Sequence, residues 1–136
     1  MSMAGPMNVF DIAGRAMSAQ LVRLNTTASN LANAGSVSGT KDSAFRALKP
    51  VFSSVTERAG VATVKVDRVV QAGTDPVKRH APDHPLADEN GDVWEAGVDS
   101  AAELVEMVET ARQYQNNVQV LQTAKSLTLD TLRLGQ

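Results

Sequence analysis

Two histidines, His80 and His84, stand four residues apart with Asp83 and Asp88 beside them, and these side chains could ligate a metal. On a helix that spacing would turn both imidazoles to one face. Pro82 and Pro85 forbid a helix here, so the spacing loses its meaning and the histidines read as surface or turn-stabilising groups. Asp88-Glu89-Asn90-Gly91-Asp92, with Asp99 at the twelfth position counting Asp88 as the first, has the letters of a calcium loop. The glycine stands at the wrong position for that loop and no helix precedes it; a hairpin turn explains the same residues. Serine and threonine are plentiful, yet no G-x-S-x-G elbow and no phosphate-cradling glycine loop occurs. With no cysteine, thiol catalysis, disulfides and cysteine-based zinc sites are excluded. The paired carboxylates Glu103 and Glu106 read as solubilising charge on a helix face. The sequence thus offers catalysis no anchor and implies no metal and no cofactor.

The elements that hold these residues are more telling. The chain has 136 residues, enough for one domain or a small domain with long helical extensions. Its apolar content is 43% with only 4% aromatics, a mixture of Ala, Val and Leu suited to helix-helix packing. A formal charge of −2 gives no broad pull towards nucleic acid or anionic lipid. No stretch approaches the ~20 apolar residues that cross a bilayer. The N-terminus lacks a basic region followed by an apolar one, so a soluble chain without a cleaved secretory signal is expected.

From Met7 to Asn33 the apolar positions Phe10, Ala13, Met17, Leu21, Leu24, Ala28 and Leu31 recur at steps of three and four, predicting a helix. Asn8 is placed to cap it, Met7 to staple against Ile12, and Gly35 to end it in a left-handed turn. A second helix is predicted over 100–134, opened by a capping box of Ser100 and Glu103 behind Asp99. Its stripe is Leu104, Met107, Ala111, Tyr114, Val118 and Leu121. Acidic residues in its first half and Lys125 and Arg133 near its end complement the helix dipole.

Beyond Tyr114 this helix is apolar in nearly every direction, through Val118, Val120, Leu121, Ala124, Leu127, Leu129, Leu132 and Leu134. A helix apolar all round is buried all round. With one partner helix in the chain, and about 1.5–3 kcal/mol for each buried Leu, the pattern predicts association with other molecules.

The middle is different. Residues 36–43 read as a polar, extended or mobile link, Val51-Phe52 after Pro50 starts one strand, and Val61 to Val70 forms a second by alternation. Asn90-Gly91 predicts a hairpin joining Leu86-Ala87 to Val93-Trp94, with Trp94 plugging a small β-module. The expected fold is therefore α+β: an N-terminal helical segment (1–35), a linker and small β-rich region (36–98), and a C-terminal helical segment (99–136). The two helices are expected to pair as an antiparallel, coiled-coil-like hairpin.

At this point the residues become familiar. Asn25-Thr26-Thr27-Ala28-Ser29-Asn30-Leu31-Ala32-Asn33-Ala34 resembles the N-terminal signature of bacterial flagellar axial proteins, the rod, hook and hook-associated family. Tyr114-Gln115-Asn116-Asn117-Val118, Ala124-Lys125-Ser126-Leu127 and Leu132-Arg133-Leu134-Gly135 resemble that family's C-terminal helix. Pro82-Asp83-His84-Pro85-Leu86-Ala87-Asp88 followed by Gly91 narrows the likeness to its proximal rod members, over essentially the whole chain. Two departures follow that segment: Asp92 stands where Tyr is common, and Ala96-Gly97 where Pro-Asn is.

The resemblance implies a structural subunit of the flagellar basal-body rod, exported through the type III channel without signal cleavage and poorly ordered at its termini until assembled. Its partners would be copies of itself, other proximal and distal rod subunits, and the export-gate and ring components of the basal body. Its terminal helices would form the inner layer around the channel of a rod that crosses the periplasm and carries torque. The assembly interface would be built from Phe10, Met17, Leu21, Leu24, Asn30, Leu31, Asn33, Val118, Leu121, Leu127, Leu129, Leu132 and Leu134. A soluble helical-hairpin adaptor or export chaperone, using the same stripes to hold a partner, is the alternative.

Overall fold

The structure, a computed structural model, describes residues 9–56 and 60–135. The chain runs α1 (Val9–Asn33), β1 (Val37–Ser38), β2 (Leu48–Thr56), β3 (Ala62–Gln71), β4 (Val77–His80), β5 (Asp92–Glu95) and α2 (Ser100–Leu134). The fold is α+β, as the periodicities predict. The two helices lie against each other in opposite directions: Gln20 bonds to Gln113 and Arg23 to Glu106, so the partner number falls as that of α1 rises. The expected cap at Asn8 and staple at Met7 lie outside the described residues.

α1 is the middle layer. One side meets α2 and another meets the β2–β3 hairpin, whereas the close backbone approaches of α2 are all to α1. This double burden explains why the predicted stripe of α1 is not its buried face. The buried residues are Ala13, Ala19, Thr26, Thr27 and Asn30, while Phe10, Leu21 and Ala28 stay exposed. Small side chains let both neighbours come close. The threonines lose nothing by burial, because both hydroxyls donate to the Arg23 carbonyl, at 2.8 and 2.9 Å. Thr110, fully buried on α2, donates likewise to the Glu106 carbonyl at 2.7 Å.

The stripe of α2 is nearer to expectation. Met107, Ala111, Tyr114, Val118, Leu121 and Ala124 are half-buried, but Leu104 is exposed. The cap is Asp99, not Ser100. Asp99 has extended backbone angles and its carboxylate accepts from the Ala101 and Ala102 N–H groups, which leaves Ser100 as the first helical residue. At the other junction α1 stops without a left-handed residue. Ala34 and Ser36 donate back to the Leu31 and Asn33 carbonyls, and Gly35 keeps a negative φ.

β2 and β3 pair antiparallel from Leu48↔Gln71 to Thr56↔Ala62, with an irregularity between Val51 and Phe52. The second sheet has β5 at its centre, flanked by β1 and β4, both antiparallel to it. This corrects two expectations and sharpens a third. β5 pairs with Val77–His80, not with Leu86-Ala87, because the Asn90-Gly91 turn closes only locally. Asp88 accepts from the Asn90 and Asp92 N–H groups, each at 2.9 Å, and residues 81–87 are consumed in turns around two prolines. The link after α1 is extended at its start, where Val37 and Ser38 satisfy the free edge of β5 as a short strand. Finally, Val93 rather than Trp94 plugs the module. Neighbours on a strand face opposite ways; Val93 is fully buried, while Trp94 is half-buried with the Lys41 ammonium 5.9 Å from its ring centre.

Val93, Ala44, Ala47 and Ala96 are the buried apolar residues outside α1 among the described residues. Gly97 is required where the backbones cross: a Cβ there would lie 2.0 Å from the Thr74 carbonyl oxygen. This small core sits where α1 ends and α2 begins, and it fixes the entry and exit of the helical pair.

Candidate assembly interface

The seam between the helices is closed partly by polar groups. Arg23 forms an ion pair with Glu106 at the seam's edge, both side chains about one-third exposed, and Gln20 donates to Gln113 at 2.8 Å. Glu106 therefore does more than solubilise a free face, which corrects the sequence reading. Because these groups pair only when Arg23 and Glu106 are level, they resist a slip of one helix along the other.

Coverage of α2 ends before the helix does. α2 has 35 residues against 25 in α1, so at ~1.5 Å per residue it is about 15 Å longer. Ala124 is the last half-buried position, and every described residue from Lys125 onward is exposed. At about 100° per residue, Leu129 and Leu132 continue the line of Val118 and Leu121 that faces α1. Leu127 and Leu134 fall on the opposite side with Val120. Leu127 and Leu132 are each 63% exposed and Leu134 is 89%. This is a helix end with apolar groups on two opposing faces and no cover among the described residues.

On α1, Phe10 and Leu21 are exposed, while Met17, Leu24, Leu31 and Asn33 are half-buried. Phe10, Met17, Leu21, Leu24 and Ala28 form one longitudinal stripe that neither α2 nor the hairpin fully covers. Asn33 donates to the Ser29 carbonyl at 2.8 Å. Asn30 is occupied inside the chain, 1% exposed and bonded to the backbone of Leu48.

One feature escaped the sequence. Between α1 and the β2–β3 hairpin runs an open groove of about 1020 Å³, lined by Phe10, Gly14, Ser18, Val22, Val55 and Lys65 among others. No motif signals it, because its two walls are far apart in the chain.

The histidines have local roles. His80 Nδ1 lies 3.0 Å from an Asp92 carboxylate oxygen, and His84 Nδ1 accepts from the Leu86 N–H at 3.0 Å. The His80 hydrogen bond is the main force holding the Asp92 carboxyl below the usual carboxylate range; partial burial opposes it, and the Lys78 charge adds to the lowering. Among the described residues no three metal-ligating side chains converge, and no helix is long and apolar enough to cross a membrane.

Long paired terminal helices beside a small β-module, with apolar faces left uncovered among the described residues, form an architecture suited to a subunit of a larger assembly. Comparison with known proteins agrees. The family described as flagella basal body rod protein matches residues 10–40, and the one described as flagellar basal body rod FlgEFG protein C-terminal matches residues 89–134. The flagellar basal-body rod protein FlgC of Salmonella typhimurium is 46% identical over 132 residues, covering 96% of this chain and 98% of the relative. FlgC of Yersinia enterocolitica is 47% identical over 133 residues, with the same shares. FlgC of Buchnera aphidicola subsp. Schizaphis graminum is 38% identical over 135 residues. The chain belongs to the FlgC family of flagellar basal-body rod proteins and is a structural subunit of the rod.

Proposed function

We propose that this chain polymerises through its terminal helices, residues 1–35 and 99–136, into the drive shaft around the flagellar export channel, and that it transmits torque. The β-rich segment 36–98 faces outward and sets contacts with neighbouring subunits. Its neighbours are its own copies, other proximal and distal rod subunits, and the export-gate and ring components. It reaches the rod through the type III channel with no signal cleaved, binds no nucleic acid, and carries out no turnover.

The observation that supports this reading best is the uncovered end of α2. Leu127, Leu129, Leu132 and Leu134 lie on opposing faces of one helix and are 45–89% exposed. At about 1.5–3 kcal/mol per buried Leu, covering all four favours association by several kcal/mol before ordering costs. The rest of the interface follows on α1, along Phe10, Met17, Leu21, Leu24 and Leu31.

Intact mass of the chain in purified basal bodies tests the reading. The full-length mass, allowing for loss of the initiator Met, is expected in the rod fraction. A species shortened by a signal-sized N-terminal piece ends the export reading. Accumulation as a complex outside basal bodies points instead to the adaptor.

A further inference from the structure

We propose that Asn90 is a site of spontaneous modification: the Gly91 nitrogen closes on the Asn90 amide to form a succinimide, and the turn that holds the two residues keeps this reaction slow.

The chemistry follows from the dipeptide. The Gly91 amide nitrogen, after losing its proton to a base in solvent, attacks Asn90 Cγ. The new C–N bond closes a five-membered ring, and the side-chain nitrogen leaves as ammonia with a proton taken from water. Water then opens the ring at either carbonyl, giving aspartate or its isoaspartyl isomer at position 90. In sum, one side-chain amide and one water become a carboxylate and ammonium, with nothing oxidised or reduced. Closure requires the nitrogen to approach the carbon closely, and a Cβ on the following residue hinders that approach. Among the asparagines only Asn90 precedes a glycine; Asn8, Asn25, Asn30, Asn33, Asn116 and Asn117 all precede residues with a Cβ.

The structure both exposes the site and restrains it. Asn90 is exposed, and its side-chain amide makes no hydrogen bond among the described residues. Gly91 cannot be exchanged to relieve the site, because its φ is +78° and a Cβ there would lie 3.0 Å from Pro82 Cβ and 3.2 Å from His80 Cε1. The restraint is on the nucleophile. The Gly91 N–H donates to the Asp88 carbonyl at 3.0 Å, and the Asp88 carboxylate accepts from the Asn90 and Asp92 N–H groups on either side. The nitrogen is therefore engaged while the turn is closed and released when it opens.

The two products differ in consequence. Aspartate adds only a charge, beside Asp88, Glu89 and Asp92. The isoaspartyl isomer adds a backbone carbon between residue 90 and Gly91. That shifts Gly91 against His80 and Pro82 and away from Ala81, whose N–H donates to the Gly91 carbonyl at 2.9 Å.

Asn90 is the only side-chain amide between Arg79 and Arg112, so trypsin isolates it on one peptide, residues 80–112. The purified full-length chain is aged in mildly alkaline buffer, folded and in urea, and this peptide is followed by mass and by isoaspartyl methyltransferase labelling. In urea it should exchange the mass of an amide for that of an acid before any other peptide does, with isoaspartate present. In the folded chain the rate should be about tenfold lower. Asp88→Ala removes an acceptor from the turn but no part of the reacting pair, and should raise the folded rate towards that in urea. Trp94 fluorescence checks that this variant is folded. Asn90→Ser should age without the mass change. Another asparagine converting first in urea, or conversion without isoaspartate, overturns the site. Equal rates in the folded chain and in urea, or a folded rate indifferent to Asp88→Ala, overturn the restraint by the turn.

Discussion

Asn30 and Leu48 bind each other in both directions: the Asn30 Nδ2 donates to the Leu48 carbonyl at 2.9 Å, and the Leu48 N–H donates to Asn30 Oδ1 at 2.7 Å. A side chain on α1 thereby takes the place of a neighbouring strand at the first residue of β2. This joins the helical layer to the hairpin through a residue that is 1% exposed. Within a run of asparagines that resembles a family signature, this one is engaged inside the chain.

Asn30→Ala leaves both Leu48 backbone groups without that partner and should cost about 2–3 kcal/mol in urea unfolding. Asn30→Asp keeps the acceptor and loses the donor, so its cost should lie between that of Ala and zero. Equal stability of all three chains would mean that water replaces the side chain without loss.

Two glycines should respond in opposite senses to alanine. At Gly97 the new Cβ meets the Thr74 carbonyl oxygen at 2.0 Å, backbone against backbone, and a cost of about 2–4 kcal/mol is expected. At Gly14, inside α1, nothing lies within 4 Å of an added Cβ, so Gly14→Ala should stabilise by about 0.5–1 kcal/mol. Thermal melts of the two variants check both signs.

Leu121 and Leu127 separate folding from assembly. Leu121 is half-buried towards α1, so Leu121→Asp should destabilise the isolated chain by about 2 kcal/mol as well as block rod formation. Leu127 is 63% exposed, so Leu127→Asp should leave the isolated chain within about 0.5 kcal/mol of the original, with export intact and the rod absent. Motile cells with intact rods carrying Leu127→Asp would remove that end of α2 from the interface.

The His80–Asp92 pair predicts a pH effect of defined sign. The Asp92 carboxyl is held below its ordinary range in the folded chain, chiefly by His80, so its contribution is complete above the ordinary carboxylate value. It is lost as pH falls through the lowered value, on the acid side of about pH 4. His80→Ala should move the Asp92 titration upward, read by NMR of its carboxyl carbon, while motility stays nearly normal. Lost motility at normal protein level would give His80 a role beyond the turn.

What the sequence determined by itself was whatever depends on local periodicity. Steps of three and four residues define both helices because a helix repeats its face at that interval regardless of its partner. Alternation in Ala62–Gln71 marks a strand for the same kind of reason. The uncovered end of α2 was legible too, since leucines on every side of a helix exceed what a single partner can bury. Only the tertiary structure decided which face each element hides. α1 serves two neighbours, so its close contacts fall on Ala13, Ala19, Thr26 and Thr27, not on the larger residues of its stripe. β5 chose β4 and β1, because Asn90-Gly91 could close a turn without dictating what lay on its far side. The groove between α1 and the hairpin arose from packing alone. Its walls are separated by more than thirty residues, and no local pattern carries information about a surface made by two distant pieces of chain.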